Sequence, residues 1–316
     1  MDNKDMKIEK NMFEWVGGDT ALSETITRPS ISYWKDAMHR LRKNKAAMIC
    51  LGIVLFIALL SIIAPILSPY TISEQHYAHT DAPVGFKDPV DGHVHLFGTD
   101  TLGRDIFTRI WSGGRVSLFI AITAVIVNCI IGIIYGGISG YTGGAVDNLM
   151  MRIIEVINGI PYLIIVILLM MVLEPGVMTM VIAYAAVGWT GMARLVRGQV
   201  MSLKQQDYIT AARVMGAKPS RIIFKHLIPN TLSVVIVNIT LTIPSVIFTE
   251  AFLSYIGLGV PIPKSSWGIM ASEGSWVFQS YPSQLLIPAL CISLTMLSFN
   301  LLGDGLRDAL DPRLRR

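Results

Sequence analysis

Six stretches of the chain carry almost no charge over lengths that match a membrane: residues 46–73, 116–146, 156–173, 175–193, 226–249 and 274–303. A helix needs about 20 mostly apolar residues to cross a hydrocarbon core of about 30 Å. Each stretch is therefore read as one transmembrane helix, the first ending near residues 65–67. The third and fourth are separated only by Glu174, Pro175 and Gly176. Proline lacks an N–H and glycine accepts positive φ, which predicts a tight helical hairpin there. The expected fold class is all-α and polytopic, with six spans.

Composition narrows the class further. Of 316 residues, 52% are hydrophobic and only 15% charged, against about 25% charged in a soluble domain. A water-facing globular surface, a disordered chain and a collagen-like repeat are excluded. The three cysteines, Cys50, Cys129 and Cys291, fall inside predicted spans. They read as small apolar fillers, not a disulfide framework. Lysine and arginine set the orientation. Residues 1–45 carry nine, Arg152 adds one, 194–225 hold seven and the tail from Arg307 holds four, against five on the opposite side. Both termini are expected in the cytoplasm. Arg104, Arg109 and Arg115 lie outside yet close to a span, and are read as an interfacial segment with snorkelling side chains.

The first apolar run begins at Ala46, too late and too long for a secretory signal peptide. Just before it, apolar residues recur at 34, 37, 38 and 41 with a basic opposite face. That pattern fits a helix along the inner membrane surface, with Trp34 at headgroup depth; an ordinary stop-transfer flank is the alternative. Residues 1–31 are polar, patternless and expected to be disordered.

An energy source is hard to find in this chain. Gly98-Thr-Asp-Thr-Leu-Gly103-Arg104-Asp105 has the glycine spacing of a phosphate loop. Arg replaces its Lys, and Asp stands where a Ser or Thr should hold magnesium. No ATP binding is assigned. Ion-coupled carriers keep ionisable groups near the midplane, and the span cores have none: Glu155, Glu174 and Glu250 lie near span ends. No nucleophile–base pair, zinc motif or carboxylate pair has usable spacing, so no catalytic residue is assigned.

The connection between the fourth and fifth spans, residues 201–229, is cytoplasmic and basic. Asp207 is expected to N-cap a helix running to Met215, with Gly216 at its C′ position. Pro219 suits the first turn of a second helix through Ile222, Ile223, Phe224 and Leu227, ended by Pro229. Ala211 and Ala212 would leave a bare face for docking. A surface loop with accidental helicity is the competing reading.

These residues carry a resemblance. Thr210-Ala211-Ala212-x3-Gly216-x9-His226-Leu227-Ile228-Pro229 resembles the "EAA" loop of ABC-importer permeases, with Thr210 in place of its Glu. Phe97–Asp105, Gly113–Leu118, Gly140–Asp147 with Met151 and Arg152, Leu253–Gly259, Ser266–Gly268 and Phe299–Pro312 resemble segments of dipeptide, oligopeptide and nickel permeases, in order. With the basic prelude at residues 34–45, the whole is most similar to the C-type subunit of oligopeptide permeases.

The resemblance implies a type I ABC importer permease fold in a prokaryotic plasma membrane. It implies a homologous second permease, two cytoplasmic ATPases holding ATP and magnesium, an extracellular peptide-binding protein, and no cofactor or nucleic acid on this chain. It makes Ala211, Ala212, Arg213, Gly216, Lys218, Pro219, Arg221 and Pro229 the ATPase-coupling loop. Weakly polar positions Asn158, Pro161, Asn238, Pro244, Ser245 and Glu250 are candidates for the transport path, with interhelical hydrogen bonding as the alternative for the asparagines and a salt bridge for Glu250. The division is 1–31, an interfacial helix at 32–45, a first span at 46–67, an outer loop at 68–115, a five-span core at 116–303 and a tail at 304–316. The outer loop holds His76, His79, His93 and His95 near Asp81, Asp91 and Asp100. Imidazoles ligate nickel, copper and zinc, yet contact with the binding protein is the simpler role, and no metal is assigned. Rival readings are import of nickel, dipeptides or another small solute, and an ion-coupled carrier acting alone.

Overall fold

The computed structural model of the chain describes residues 33–89, 92–261 and 263–311. The expected disordered segment 1–31 and the end of the tail lie outside them. The helices are α1 (Tyr33–Lys43), α2 (Lys45–Leu67), α3 (Ile106–Thr142), α4 (Gly144–Asn158), α5 (Tyr162–Val172), α6 (Val177–Val187), α7 (Trp189–Leu203), α8 (Asp207–Val214), α9 (Ile228–Tyr255), α10 (Trp267–Trp276) and α11 (Ser283–Leu310). Among the described residues, five helical stretches are long and apolar enough to span a membrane, including Val177–Leu203 and Pro219–Tyr255 as continuous spans. The pair α4 and α5, bent by 75°, makes a sixth when counted as one broken span. The break falls at Gly159, Ile160 and Pro161, where proline cannot donate to the helical ladder.

The spans outrun the charge-free stretches that announced them, because buried charges are paired. Arg197 of α7 donates to both carboxylate oxygens of Asp147 on α4, from Nε and Nη2 at 2.6 Å, and Ser139 of α3 also donates to Asp147. A bidentate pair of this kind lets a charge sit inside a helical bundle. The hairpin at Glu174–Gly176 is present, but Gly176 is extended at φ 178°. The turn therefore uses no left-handed residue.

Packing of α3 on α7 rests on a stripe of small residues. Gly132, Gly136 and Gly140 face Met192, Ala193, Val196, Arg197 and Val200, and a Cβ on any of the three would meet α7 atoms within 3.0 Å. Without a hydrophobic drive between helices in lipid, close backbone approach supplies the attraction. The main core gathers Ile106, Ile110, Ile120 and Ala121 of α3 with Tyr184, Ile247 and Trp267. At the amino end, Ala37 and Leu41 of α1 are buried while Trp34 and Met38 stay exposed, and Tyr33 donates to the Leu310 carbonyl at 2.7 Å. The surface helix is thus docked on the end of α11 as well as facing outward.

Two of the three arginines Arg104, Arg109 and Arg115 do not snorkel as expected. Arg104 and Arg109 are buried. Arg104 Nε donates to Asp100 at 2.7 Å and its Nη2 to both Glu273 oxygens at 3.1 Å. Arg109 pairs with Asp100 and, at 2.7 Å, with Glu273. Two carboxylates from the outer loop and α10 make burial tolerable where sequence proximity to a span suggested lipid. Arg115 donates to the carbonyls of Ser61 and Ile62 at 3.2 and 3.0 Å. The Ser61 carbonyl is the one left without its helical donor by Pro65, so Arg115 repairs a break in α2.

Candidate functional site

The connection between the fourth and fifth spans, residues 201–229, is built on a helix stop of high definition. Met215 ends α8 and Gly216 follows at φ +79°. Gly216 N donates to Arg213 O and Ala217 N to Ala212 O, each at 3.0 Å. Those two bonds form a Schellman motif, for which glycine suits the left-handed residue. Lys218 is then extended and Pro219 opens the next helix, as the spacing predicts. Two details differ from expectation. Asp207 is the first residue of α8, and Gln206 holds the cap position without a side-chain bond; the carboxylate instead favours the positive end of the helix dipole.

Pro229 does not end a helix either. Residues Ile222–Leu227 adopt π geometry and run directly into α9, with Ile228 N donating to Ile223 O. The wider turn absorbs the missing proline N–H, so the connection joins α9 without a hinge. Movement at this loop therefore passes directly into a 37-residue helix, Pro219–Tyr255.

The inner side of the connection is packed on its own chain. Ile209, Ile222, Ile223 and Leu227 meet Met192, Val196 and Val200 of α7. Ala212 belongs to this inner side, only 6% exposed; the expectation of a bare face made by both alanines is corrected to Ala211 alone. The outward side is instead marked by Val214 and Met215, 82% and 80% exposed, with Phe224 also open to solvent. Arg213, Lys218, Pro219, Arg221 and Pro229 are exposed around them. Val214, Met215 and Phe224 were legible as helical apolar positions, but their phase relative to the bundle was not.

The candidate path residues separate into two groups. On α9, Asn238 is half-buried and Ser245 exposed, whereas Pro244 and Glu250 are buried. Thr242 and Thr249 continue the line from Asn238 through Ser245 at spacings of 4, 3 and 4, one helix face. Each of the three hydroxyls bonds back to a carbonyl of its own helix, at 2.7 Å. This face is weakly polar and needs no other part of the chain. Asn158 and Pro161 are exposed at the break between α4 and α5, where Thr190 donates to Asn158 Oδ1 at 3.0 Å.

Glu250 has neither the exposure nor the salt bridge expected of it. It accepts from Ser117 of α3 and Ser254 of its own helix, both at 2.8 Å. Ser117 Oγ also receives the Trp267 amide at 3.3 Å. The carboxyl group ties α3, α9 and the start of α10 together behind the helix face, and so cannot meet a solute on it.

Comparison with known proteins adds a second line of evidence. Residues 129–316 match the family described as "Binding-protein-dependent transport system inner membrane component", and residues 32–89 the "N-terminal TM domain of oligopeptide transport permease C". The chain is 50% identical over 309 residues to the oligopeptide transport system permease protein OppC of Bacillus subtilis, covering 98% of this chain and 99% of that one. It is 49% identical to the dipeptide transport system permease protein DppC of the same organism, over 93% and 90% of the two chains. Escherichia coli K12 OppC is 42% identical over 93% and 95%. In fold, the chain resembles a subunit of the inward-facing MetNI methionine ABC transporter, with TM-score 0.51 and 18% identity over 64% of this chain and 94% of that one.

Proposed function

The chain belongs to the family of binding-protein-dependent transport system inner membrane components, and on that premise we propose that it is the membrane-spanning permease subunit of an ATP-driven importer of oligopeptides. Its partners are a homologous second permease, two cytoplasmic ATPases that bind ATP and magnesium, and an extracellular peptide-binding protein. It sits in a prokaryotic plasma membrane with both termini cytoplasmic, in keeping with the excess of Lys and Arg on that side. It catalyses no reaction itself.

The observation that carries the reading is the cytoplasmic connection: an apolar tip of Val214 and Met215, ringed by cations, on a base packed against α7 and continuous with α9. The tip fits a groove on an ATPase, where Arg213, Lys218 and Arg221 pair with acidic residues on the rim. ATPase closure then pushes a rigid helix and reorients the α9 face of Asn238, Thr242, Ser245 and Thr249. A lining of hydroxyls and amides suits cargo held by its peptide backbone.

The test combines uptake with assembly. Cells lacking this gene and any redundant system should lose uptake of a labelled pentapeptide and regain it with the wild-type chain. Met215→Glu should restore neither uptake nor co-purification of the ATPases while reaching the membrane at normal level. Normal co-purification would remove the tip from the coupling site. The 49% identical dipeptide relative supports one second reading, dipeptide cargo, which predicts retained pentapeptide uptake and lost dipeptide uptake in the deleted strain.

A further inference from the structure

Three imidazoles of the outer loop, distant in sequence, converge on one buried carboxylate. His76 Nδ1 stands 3.4 Å from Asp88 Oδ2, His79 Nε2 3.6 Å from Asp88 Oδ1, and His95 Nε2 3.9 Å from Asp88 Oδ2. Asp88 and His95 are wholly buried, and His76 and His79 are 22% and 17% exposed. These separations exceed the usual 2.7–3.2 Å of a nitrogen–oxygen hydrogen bond. The Nε2 atoms of His79 and His95, which face Asp88, have no hydrogen-bond partner, and His76 turns its Nδ1 to Asp88 while its Nε2 stands 3.5 Å from Glu74 Oε1. We propose that His76, His79 and His95, together with Asp88, bind one divalent transition-metal ion of the zinc class.

The protonation pattern around His95 points the same way. Its Nδ1 lies 2.9 Å from Asp105 Oδ1, and an ionised carboxylate only accepts, so Nδ1 carries the proton. As a neutral imidazole bound to Asp105 through Nδ1–H, His95 would offer the Nε2 lone pair toward the oxygens of Asp88. A lone pair facing a carboxylate inside a protein is repulsive unless a cation lies between them. A carboxylate holding the far nitrogen of a ligating histidine is also the usual outer support of a metal site. Asp105 is itself anchored, since its Oδ2 accepts from Thr108 N at 2.8 Å and from Thr108 Oγ1 at 2.6 Å at the start of α3. Tyr70 stacks on the His95 ring with centroids 4.2 Å apart, fixing its plane.

Bonds of about 2.0–2.1 Å in a tetrahedral site put neighbouring ligand atoms about 3.3–3.4 Å apart. The separations of His76 and His79 from Asp88 are within about 0.3 Å of that edge, and that of His95 is about 0.5 Å longer. Among the described residues no group of three or more His, Cys, Asp or Glu side chains is placed to hold a metal ion as it stands. Closure takes a rotation of His76 and His79, which keep room at the surface, and a closer approach of the buried pair His95 and Asp88. The ligands come from the turn Tyr77–His79 and its preceding residue, the β1–β2 hairpin (Phe86–Lys87 with Val94–His95), and, through Asp105, the start of α3. One ion would therefore lock the outer loop to the second span.

The experiment uses the full chain purified with its partner subunits through a tag free of histidine, stripped with a chelator and equilibrated with Zn²⁺ or Co²⁺. One zinc per chain by mass spectrometry, and the visible absorption of tetrahedral Co²⁺, are expected. Both should vanish in His76→Gln/His79→Gln, which changes two partly exposed side chains and should leave assembly intact. Asp105→Asn keeps a good helix cap and should weaken zinc affinity about 10- to 100-fold. Equal zinc in the wild type and the double variant, or no zinc in the wild type, would overturn the site and leave a cluster held by protons alone.

Discussion

The two ends of this molecule treat their polar and apolar groups in opposite ways. On the outer loop, charges are buried and answered within the chain: Asp100, Arg104, Arg109 and Glu273 form one network. Asp81 also accepts from Gln284 of α11 at 2.7 Å. On the connection at residues 201–229, cations stay in solvent and the apolar Val214 and Met215 are exposed. A charge network answered within the chain, like that of Asp100, makes a fixed platform. A surface that leaves apolar residues in water on a rigid base is incomplete, and points to a protein that covers it.

The sharpest way to break this contrast is to remove a charge from the closed end. Arg109→Ala leaves Asp100 and Glu273 short of a buried partner and should cost about 3–5 kcal/mol, read as a lowered thermal transition of the purified complex. A shift of less than a degree would mean that the network is wet and dispensable. Next in size is Ala212→Glu, which places a carboxylate on the packed inner side of the connection and should cost about 2–3 kcal/mol. Unchanged melting would place Ala212 on the outward side after all.

Gly216→Ala tests the bend itself. Nothing lies within 4 Å of an added Cβ, so the expected cost is backbone strain alone, about 1–2 kcal/mol. Gly216→Asp should cost less, because Asp visits the left-handed region more easily and its carboxylate is not buried. A larger loss for Asp than for Ala in thermal unfolding would contradict this account. The smallest effect on the chain's own stability belongs to Met215→Glu, within about 0.5 kcal/mol as an exposed substitution. Its loss of ATPase co-purification, against a normal melting profile, would sharpen the contrast most.

Much of this was legible beforehand, for physical reasons that particular residues show. Five spans, and a sixth when the bent pair α4 and α5 is counted as one, follow from apolar length, and Gly216 with Pro219 marks the bend because only certain residues tolerate those dihedrals. The line from Asn238 to Ser245 was half visible, but Thr242 and Thr249 were passed over because hydroxyls that bond their own helix look apolar to a lipid-facing count. Glu250 was misread, since its partner Ser117 lies 133 residues away. The stripe Gly132, Gly136 and Gly140 was in plain view, yet small residues acquire meaning only once α7 is known to lie against them.

Local chemistry thus determined from sequence what each segment does: cross the membrane, turn, or stay in water. Those decisions depend on apolar length, on proline and glycine, and on charge, all of which act over a few residues. Only the tertiary structure decided which way each segment faces and which charges meet. Arg109 became a buried partner of Glu273, Ala212 turned inward, and three histidines gathered around Asp88, because burial and pairing are set by neighbours brought together across the chain.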